Sequence, residues 1–391
     1  MEGVQTRRHE GAPVDAGGCA VLIYPTDAIV WPQAAALATR LLRRRADVQV
    51  VLCRPEGCAP PPPSTLSIVD LPGAGNAAGM QRALITRTRP QVLIVIGSTL
   101  PAPLVAAAAD GGATILLAQT GRPMVSDGWG WWPRRLAQLA RRLERVFTLT
   151  DRDAAAWRRL VGAALQVEAV GALSASIGAL PCDDSDREAL ASALRLRPAW
   201  MAVGVPEAEE EIIARAHAHA LRLSHWLVLL LQPADPARGA DLAARLGSRF
   251  AVALRSEAAP ITAETQILIA DQPGERGLWY RLATVCWMGG TLSGTGSSFD
   301  PLEPAALGAA IVHGPAAGRF RASYAQLAQH GATQRISAPE TLGETVSTLL
   351  TPERAAGLAT AGWAAASEGT ESTDRVIAAA LQVLDLLEAQ G

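Results

Sequence analysis

Between residues 271 and 314 the chain reads DQPGERGLWYRLATVCWMGGTLSGTGSSFDPLEPAALGAAIVHG, and its glycines, hydroxyls and carboxylates fall where an α/β unit turns. Residues 283–288 are a short apolar run that predicts a buried strand. Gly289, Gly290 and Thr291 follow at its carboxyl end, where an open α/β sheet presents its ligand crevice. Glycine there lets backbone N–H groups approach a phosphate; the hydroxyls of Ser297 and Ser298 could donate to the same group, or could simply belong to a flexible Gly/Ser-rich loop. Pro301-Leu302-Glu303-Pro304-Ala305 then opens a helix, with proline suited to its first turn and Glu303 near the positive end of the helix dipole. A carboxylate held there can accept hydrogen bonds from a ribose diol, or can simply stabilise its own helix. Gly274 and Glu275 precede a further helical stretch, and Glu275 reads equally as ligand contact or cap.

These residues need a scaffold, and strands and helices alternate along the whole chain. Residues 20–24, 48–52, 92–96, 114–117 and 145–149 read as strands, with helices near 32–45, 76–88, 101–109, 133–143 and 151–161. Such alternation predicts a parallel sheet covered on both faces. After a strand near 167–170, the Gly-, Ser- and Ala-rich stretch 171–184 reads as a linker, and a second alternating series runs from Trp200 to about Ile336. The expected organisation is a polar segment 1–18, a first domain 19–170, the linker, a second domain 185–372 and a terminal helix 373–391. The four prolines at 60–63 predict a stiff surface loop.

Composition bounds the chemistry. A chain of 391 residues with 49% hydrophobic content has room for two separate cores. A net charge of −2 and a pI near 6.3 argue against nonspecific nucleic-acid binding, which rewards dense positive charge. All 35 basic residues are arginine, so Schiff-base and P-loop lysine chemistry are excluded. Cys19, Cys53, Cys58, Cys182 and Cys286 form no C-x-x-C pair and fit a reducing compartment. His217 and His219 lie two apart, on different faces of a helix, which speaks against a metal site. No run reaches the roughly 18 apolar residues that a spanning helix requires.

The spacing of 271–315 resembles the donor-binding half of the Kdo (3-deoxy-D-manno-octulosonic acid) transferase family. That pattern runs D-x-M-G-E-L, Y-x-x-A, a strand ending G-G-S, G-G-H-N, then L-E-P-A-x-x-G before a strand ending G-P. Asp271, Gly274, Glu275, Tyr280, Ala283, Gly289, Gly290, Leu302, Glu303, Pro304, Ala305, Gly308, Gly314 and Pro315 keep it. Thr291 stands for the serine, and Gly296-Ser297-Ser298-Phe299-Asp300 replaces G-G-H-N. Upstream, Trp200-Met201-Ala202 with Glu207–Glu211 resembles the family's strand and E-G-E-E helix start, whereas Gly204-Val205-Pro206 replaces its Ser-Thr-His turn. Of the P-R-H-P-E-R turn only Arg238 survives, and of an A-R-L-S segment only Arg122; both are candidate anion contacts.

The resemblance implies an α/β GT-B architecture of two Rossmann-like domains facing a cleft. It also implies a glycosyltransferase that takes CMP-Kdo as donor and a lipid A precursor as acceptor in lipopolysaccharide core biosynthesis, with no metal and no cofactor. The family's general base is the glutamate of S-V-G-E after the first strand. Here Trp31 falls on that position, and Asp27 is the nearby carboxylate that could substitute, or could only cap the turn. The departures leave a second reading open, a noncatalytic or donor-switched GT-B descendant. A further feature suits an acylated, phosphorylated acceptor or a membrane interface: Trp129, Trp131 and Trp132 precede a basic amphipathic stretch with Arg134, Arg135, Arg141, Arg142 and Arg145. An ordinary surface helix reads the same way. A cytoplasmic protein with peripheral contact to the inner membrane is the expectation.

Overall fold

The computed structural model describes residues 20–58, 66–71, 77–124, 133–162, 165–195, 197–257 and 261–389. They divide into two compact units, one reaching to Ile177 and resuming at Glu368, the other Gly178–Ser367. The division falls within 171–184, and the chain re-enters the first unit a few residues before position 373.

The first unit carries seven parallel strands: β1 (Ala20–Pro25), β2 (Gln49–Arg54), β3 (Ser67–Asp70), β4 (Val92–Ile96), β5 (Thr114–Thr120), β6 (Arg145–Thr148) and β7 (Gln166–Ala169). Their order is β3-β2-β1-β4-β5-β6-β7. Successive side chains of a strand point to opposite faces. Thus Val21 and Ile23 enter one core with Leu37, Leu41, Ile94 and Ile96, while Leu22 and Tyr24 enter the other with Leu93, Val95, Leu104 and Trp157. The terminal helix Thr370–Glu388 completes the first of these cores through Val376, Ile377, Ala380 and Leu384. Arg40 donates to Asp374 at 2.7 Å beside it.

Strand β3 is absent from the sequence reading. Its four residues, SIVD, are half-buried or exposed at the sheet edge, so they lack the apolar run that marks a central strand. The helix beginning at Pro133 ends at Ala140 rather than 143, because the chain tightens there into i→i+3 bonds from Arg142 to Leu139 and from Leu143 to Ala140.

The second unit repeats the plan with β8 (Ala199–Val205), β9 (Val228–Pro233), β10 (Val252–Leu254), β11 (Ile267–Ile269), β12 (Val285–Met288), β13 (Ala310–His313) and β14 (Thr333–Arg335). All pair in parallel in the order β10-β11-β9-β8-β12-β13-β14. Strands β8, β9 and β12 are buried along their length, as expected of a parallel sheet covered on both sides. The architecture is α/β, two such units in one chain, of the GT-B kind. No helix among the described residues is long and apolar enough to cross a membrane.

Candidate functional site

In the second unit the carboxyl ends of β8, β12 and β13 lie side by side, so the segments that follow them share one rim of the sheet. After β8 comes the helix Glu207–Leu221, after β12 the loop 289–301, and after β13 the turn at Gly314. Glycines hold these loops close. A Cβ on Gly289 would sit 2.5 Å from the carbonyl oxygen of Gly204, and Gly290 adopts φ +82°, a left-handed conformation that other residues reach only with strain.

That conformation turns several N–H groups inward, and they are already satisfied. The fully buried Glu209 carboxylate accepts from the N–H groups of Gly290 at 2.9 Å, Leu292 at 2.9 Å and Ser293 at 2.7 Å, and from the Trp287 indole at 3.3 Å. Converging backbone N–H groups form an anion nest, and here the protein supplies the anion itself. Thr291 is likewise internal. Its hydroxyl donates to the Met288 carbonyl at 2.6 Å and accepts from the Gly314 N–H at 2.7 Å, tying β12 to β13.

Glu303 lies in the short helix Leu302–Ala305 and is almost fully buried. Arg276 donates to it from Nε at 3.1 Å and from Nη2 at 3.4 Å, and the Tyr280 hydroxyl lies 3.4 Å from the same carboxylate. Burial, with the Glu303 charge beside it, pushes the Tyr280 phenol well up, so that hydroxyl remains a donor. The guanidinium of Arg276 also lies 3.9 Å from the centroid of the Phe299 ring, and that ring packs against Gly204. Burial pushes the neighbouring Asp300 carboxyl up to about 7, although it accepts from the Leu302 N–H at 3.0 Å. Carboxylate, guanidinium, aromatic face and a near-neutral carboxyl thus share a few residues of one rim.

The remaining residues singled out from sequence are distributed as follows. Gly274 is exposed in the turn before the helix Arg276–Leu282, and Glu275 pairs with Arg255 at 2.7 Å. The Ser297 hydroxyl donates to the Phe299 carbonyl at 2.7 Å, and the Ser298 carbonyl accepts from Arg319 at 2.8 Å. Arg238 forms a fork with the buried Glu210, both contacts 3.1 Å, and pairs with Glu207 at 3.2 Å. Arg245 donates to the same Glu210 carboxylate. In the first unit, Asp27 is exposed after β1, and its Oδ1 accepts from the N–H groups of Ile29 at 2.8 Å and Val30 at 3.2 Å, which closes the turn ahead of the helix Trp31–Arg44. Trp31 is buried at that helix start. Arg122 is exposed after β5. Trp129, Trp131 and Trp132 lie outside the described residues, as do Cys19 and the prolines at 60–63. Among the described residues no cluster of His, Cys, Asp or Glu could hold a metal ion.

Glu209, Arg276 and Phe299 were not singled out for chemistry by sequence reasoning. Glu209 had no local signal for its partners, because they lie some eighty residues away and meet it only once β8 and β12 pair. Arg276 did carry one, since it occupies the position where the D-x-M-G-E-L pattern ends in leucine.

Two seven-stranded parallel sheets, each with helices between its strands, define the chain as an α/β protein of the GT-B class. No family model matches it. The chain is 29% identical over 186 residues to a 3-deoxy-D-manno-octulosonic acid transferase of Haemophilus influenzae, covering 46% of this chain and 43% of that protein. It is 30% identical over 123 residues to a probable mitochondrial 3-deoxy-D-manno-octulosonic acid transferase of Arabidopsis thaliana, covering 31% and 28%. Over these stretches the chain is similar to Kdo transferases. The match spans less than half the length of either relative. Among solved structures, the C-terminal CMP-Kdo binding domain of WaaA from Acinetobacter baumannii aligns with a TM-score of 0.39 and 25% identity over 51% of this chain and 96% of that one. A glycosyltransferase from Rickettsia africae aligns with a TM-score of 0.42 and 10% identity over 94% and 99%.

Proposed function

We propose that this chain is a glycosyltransferase of the Kdo transferase type, and that its second unit binds the donor nucleotide through Glu303 at the carboxyl end of β12. The donor on this reading is CMP-Kdo and the acceptor a lipid A precursor, used at the cytoplasmic face of the inner membrane in lipopolysaccharide core biosynthesis. The observation that supports it is the setting of Glu303. A carboxylate in the first turn of a helix, beside a guanidinium and an aromatic ring, has the donors and acceptors that a ribose and its phosphate require. Asp27 is proposed as the group that takes the acceptor proton, and Arg122 as an anion contact in the first unit. Gly290, Ser297 and Ser298 shape the loop beside the nucleotide. The basic stretch after Trp132 is proposed as the contact with acceptor or membrane.

The nucleotide assignment is tested by titration calorimetry with CMP on the wild type and on Glu303→Gln. Loss of a charge-assisted hydrogen bond costs roughly 1.5–3 kcal/mol, about tenfold or more in affinity. Unchanged CMP affinity in a folded Glu303→Gln protein sinks the assignment. A second reading, a descendant that binds without transferring or uses another donor, is favoured by one specific arrangement. The N–H nest holds Glu209 and Arg238 is bound by Glu210 and Glu207, so neither offers its charge to a ligand as it stands. Transfer assays with CMP-Kdo, and binding of UDP and GDP sugars, separate the two.

A further inference from the structure

We infer that Arg276 is the residue of the second unit that recognises the phosphate of a bound nucleotide, a proposal that rests on the nucleotide reading of Glu303. An arginine meets a phosphate well when its fork is already oriented and one edge is still open. Arg276 meets both conditions. Its Nε and Nη2 are fixed on Glu303, and its plane is held 3.9 Å from the Phe299 ring centroid. Its contacts with Glu303 use Nε and Nη2 and leave Nη1 unused, and the side chain retains 20% of its surface toward solvent.

Two other anion-binding groups of this rim are committed. The nest of Gly290, Leu292 and Ser293 is filled by Glu209, and every side-chain nitrogen of Arg238 faces Glu210 or Glu207. Arg319 spends one Nη on the Ser298 carbonyl and lies with its guanidinium 4.8 Å from the Phe320 ring centroid, exposed at the edge. Arg276 alone among these arginines joins the carboxylate proposed for the ribose, so one side chain links the two parts of a nucleoside monophosphate. Glu303 would accept from the ribose hydroxyls while Arg276 donates to the phosphate oxygens. The ligand class is therefore a nucleotide with at least one phosphate, discriminated from its nucleoside by this guanidinium.

The test is calorimetry of CMP and of cytidine on the full chain, wild type and Arg276→Gln, Arg276→Leu and Arg276→Lys. The wild type should prefer CMP over cytidine by about tenfold or more, the worth of one charge-assisted contact. Arg276→Gln and Arg276→Leu should bring CMP down to the level of cytidine measured on the same variant. Arg276→Lys keeps a cation against the buried Glu303 and so guards against misfolding; it should retain part of the CMP preference. Equal binding of CMP and cytidine by the wild type overturns the proposal. So does a full CMP preference in both neutral variants, or an equal loss of both ligands in all three. If the wild type binds neither CMP nor cytidine, the nucleotide reading itself fails and this proposal falls with it. That outcome differs from failure of Arg276 alone, in which cytidine still binds.

Discussion

The carboxylate of Glu209, in the first turn after β8, accepts the N–H of Gly290, two residues past the end of β12, at 2.9 Å. Two more backbone N–H groups and the Trp287 indole converge on the same two oxygens, so Glu209 acts as an internal anion that fixes the shape of the glycine loop. A helix N-terminus and a turn nest, each of which favours negative charge, are satisfied by one side chain.

Removing that carboxylate leaves several buried donors without a partner. Each such group costs about 1–3 kcal/mol, so Glu209→Ala should destabilise the second unit by roughly 3 kcal/mol or more. Urea unfolding followed by tryptophan fluorescence measures this. The vacated nest should also take up a small carboxylate, and acetate should restore part of the lost stability in Glu209→Ala but not in the wild type. A loss under about 1 kcal/mol would mean that the loop holds its shape without Glu209.

His217 gives the second unit a defined acid sensitivity. Its Nδ1 accepts from the Trp200 indole at 3.2 Å and its Nε2–H donates to the Gln266 carbonyl at 3.0 Å, an arrangement that only the neutral ring satisfies. Burial lowers its pKa from 6.5 to about 4. The unfolded chain therefore binds the proton first as pH falls. Stability from this group is complete above about 6.5 and is lost as pH drops toward 4, by roughly 3 kcal/mol. Asp300 works in the opposite sense, since its pKa is raised from 3.8 to about 7 and its contribution declines as pH rises through that range. Comparing wild type with His217→Gln isolates the histidine. The variant should show a smaller fall in unfolding free energy between pH 7.5 and 4.5, and an equal fall in both proteins would exclude His217 as the source.

Asp27 can be separated into its two possible duties because Asn preserves one of them. The Oδ1 that accepts from Ile29 and Val30 is present in Asn, so Asp27→Asn should keep the turn and the stability. Asp27→Ala should lose roughly 1 kcal/mol, as for other side chains that cap backbone N–H groups. If Asp27 is the base of a sugar transfer, Asp27→Asn should also lower turnover by about 10²–10⁴-fold with donor affinity unchanged. Wild-type turnover in Asp27→Asn retires it as the base and leaves it as a turn residue.

The sequence by itself determined the alternation of strands and helices, the parallel sheets and the segment on which the candidate site lies. These depend on local runs, such as the apolar stretches of β4 and β12 and the Pro-Leu-Glu-Pro opening after Asp300, whose meaning is contained in neighbouring residues. The edge strand β3 was not legible, because its register comes from pairing with β2 and not from its own four side chains. Only the tertiary structure decided which polar groups remain open. Glu209 and the glycine loop, Arg238 and Glu210, and Arg276 and Glu303 are 81, 28 and 27 residues apart, and no periodicity encodes those meetings. Whether a glycine's N–H or an arginine's fork is available to a ligand depends on which charge the folded sheet brings against it. That is a property of strand order, set by the packing of whole faces, which no single motif contains.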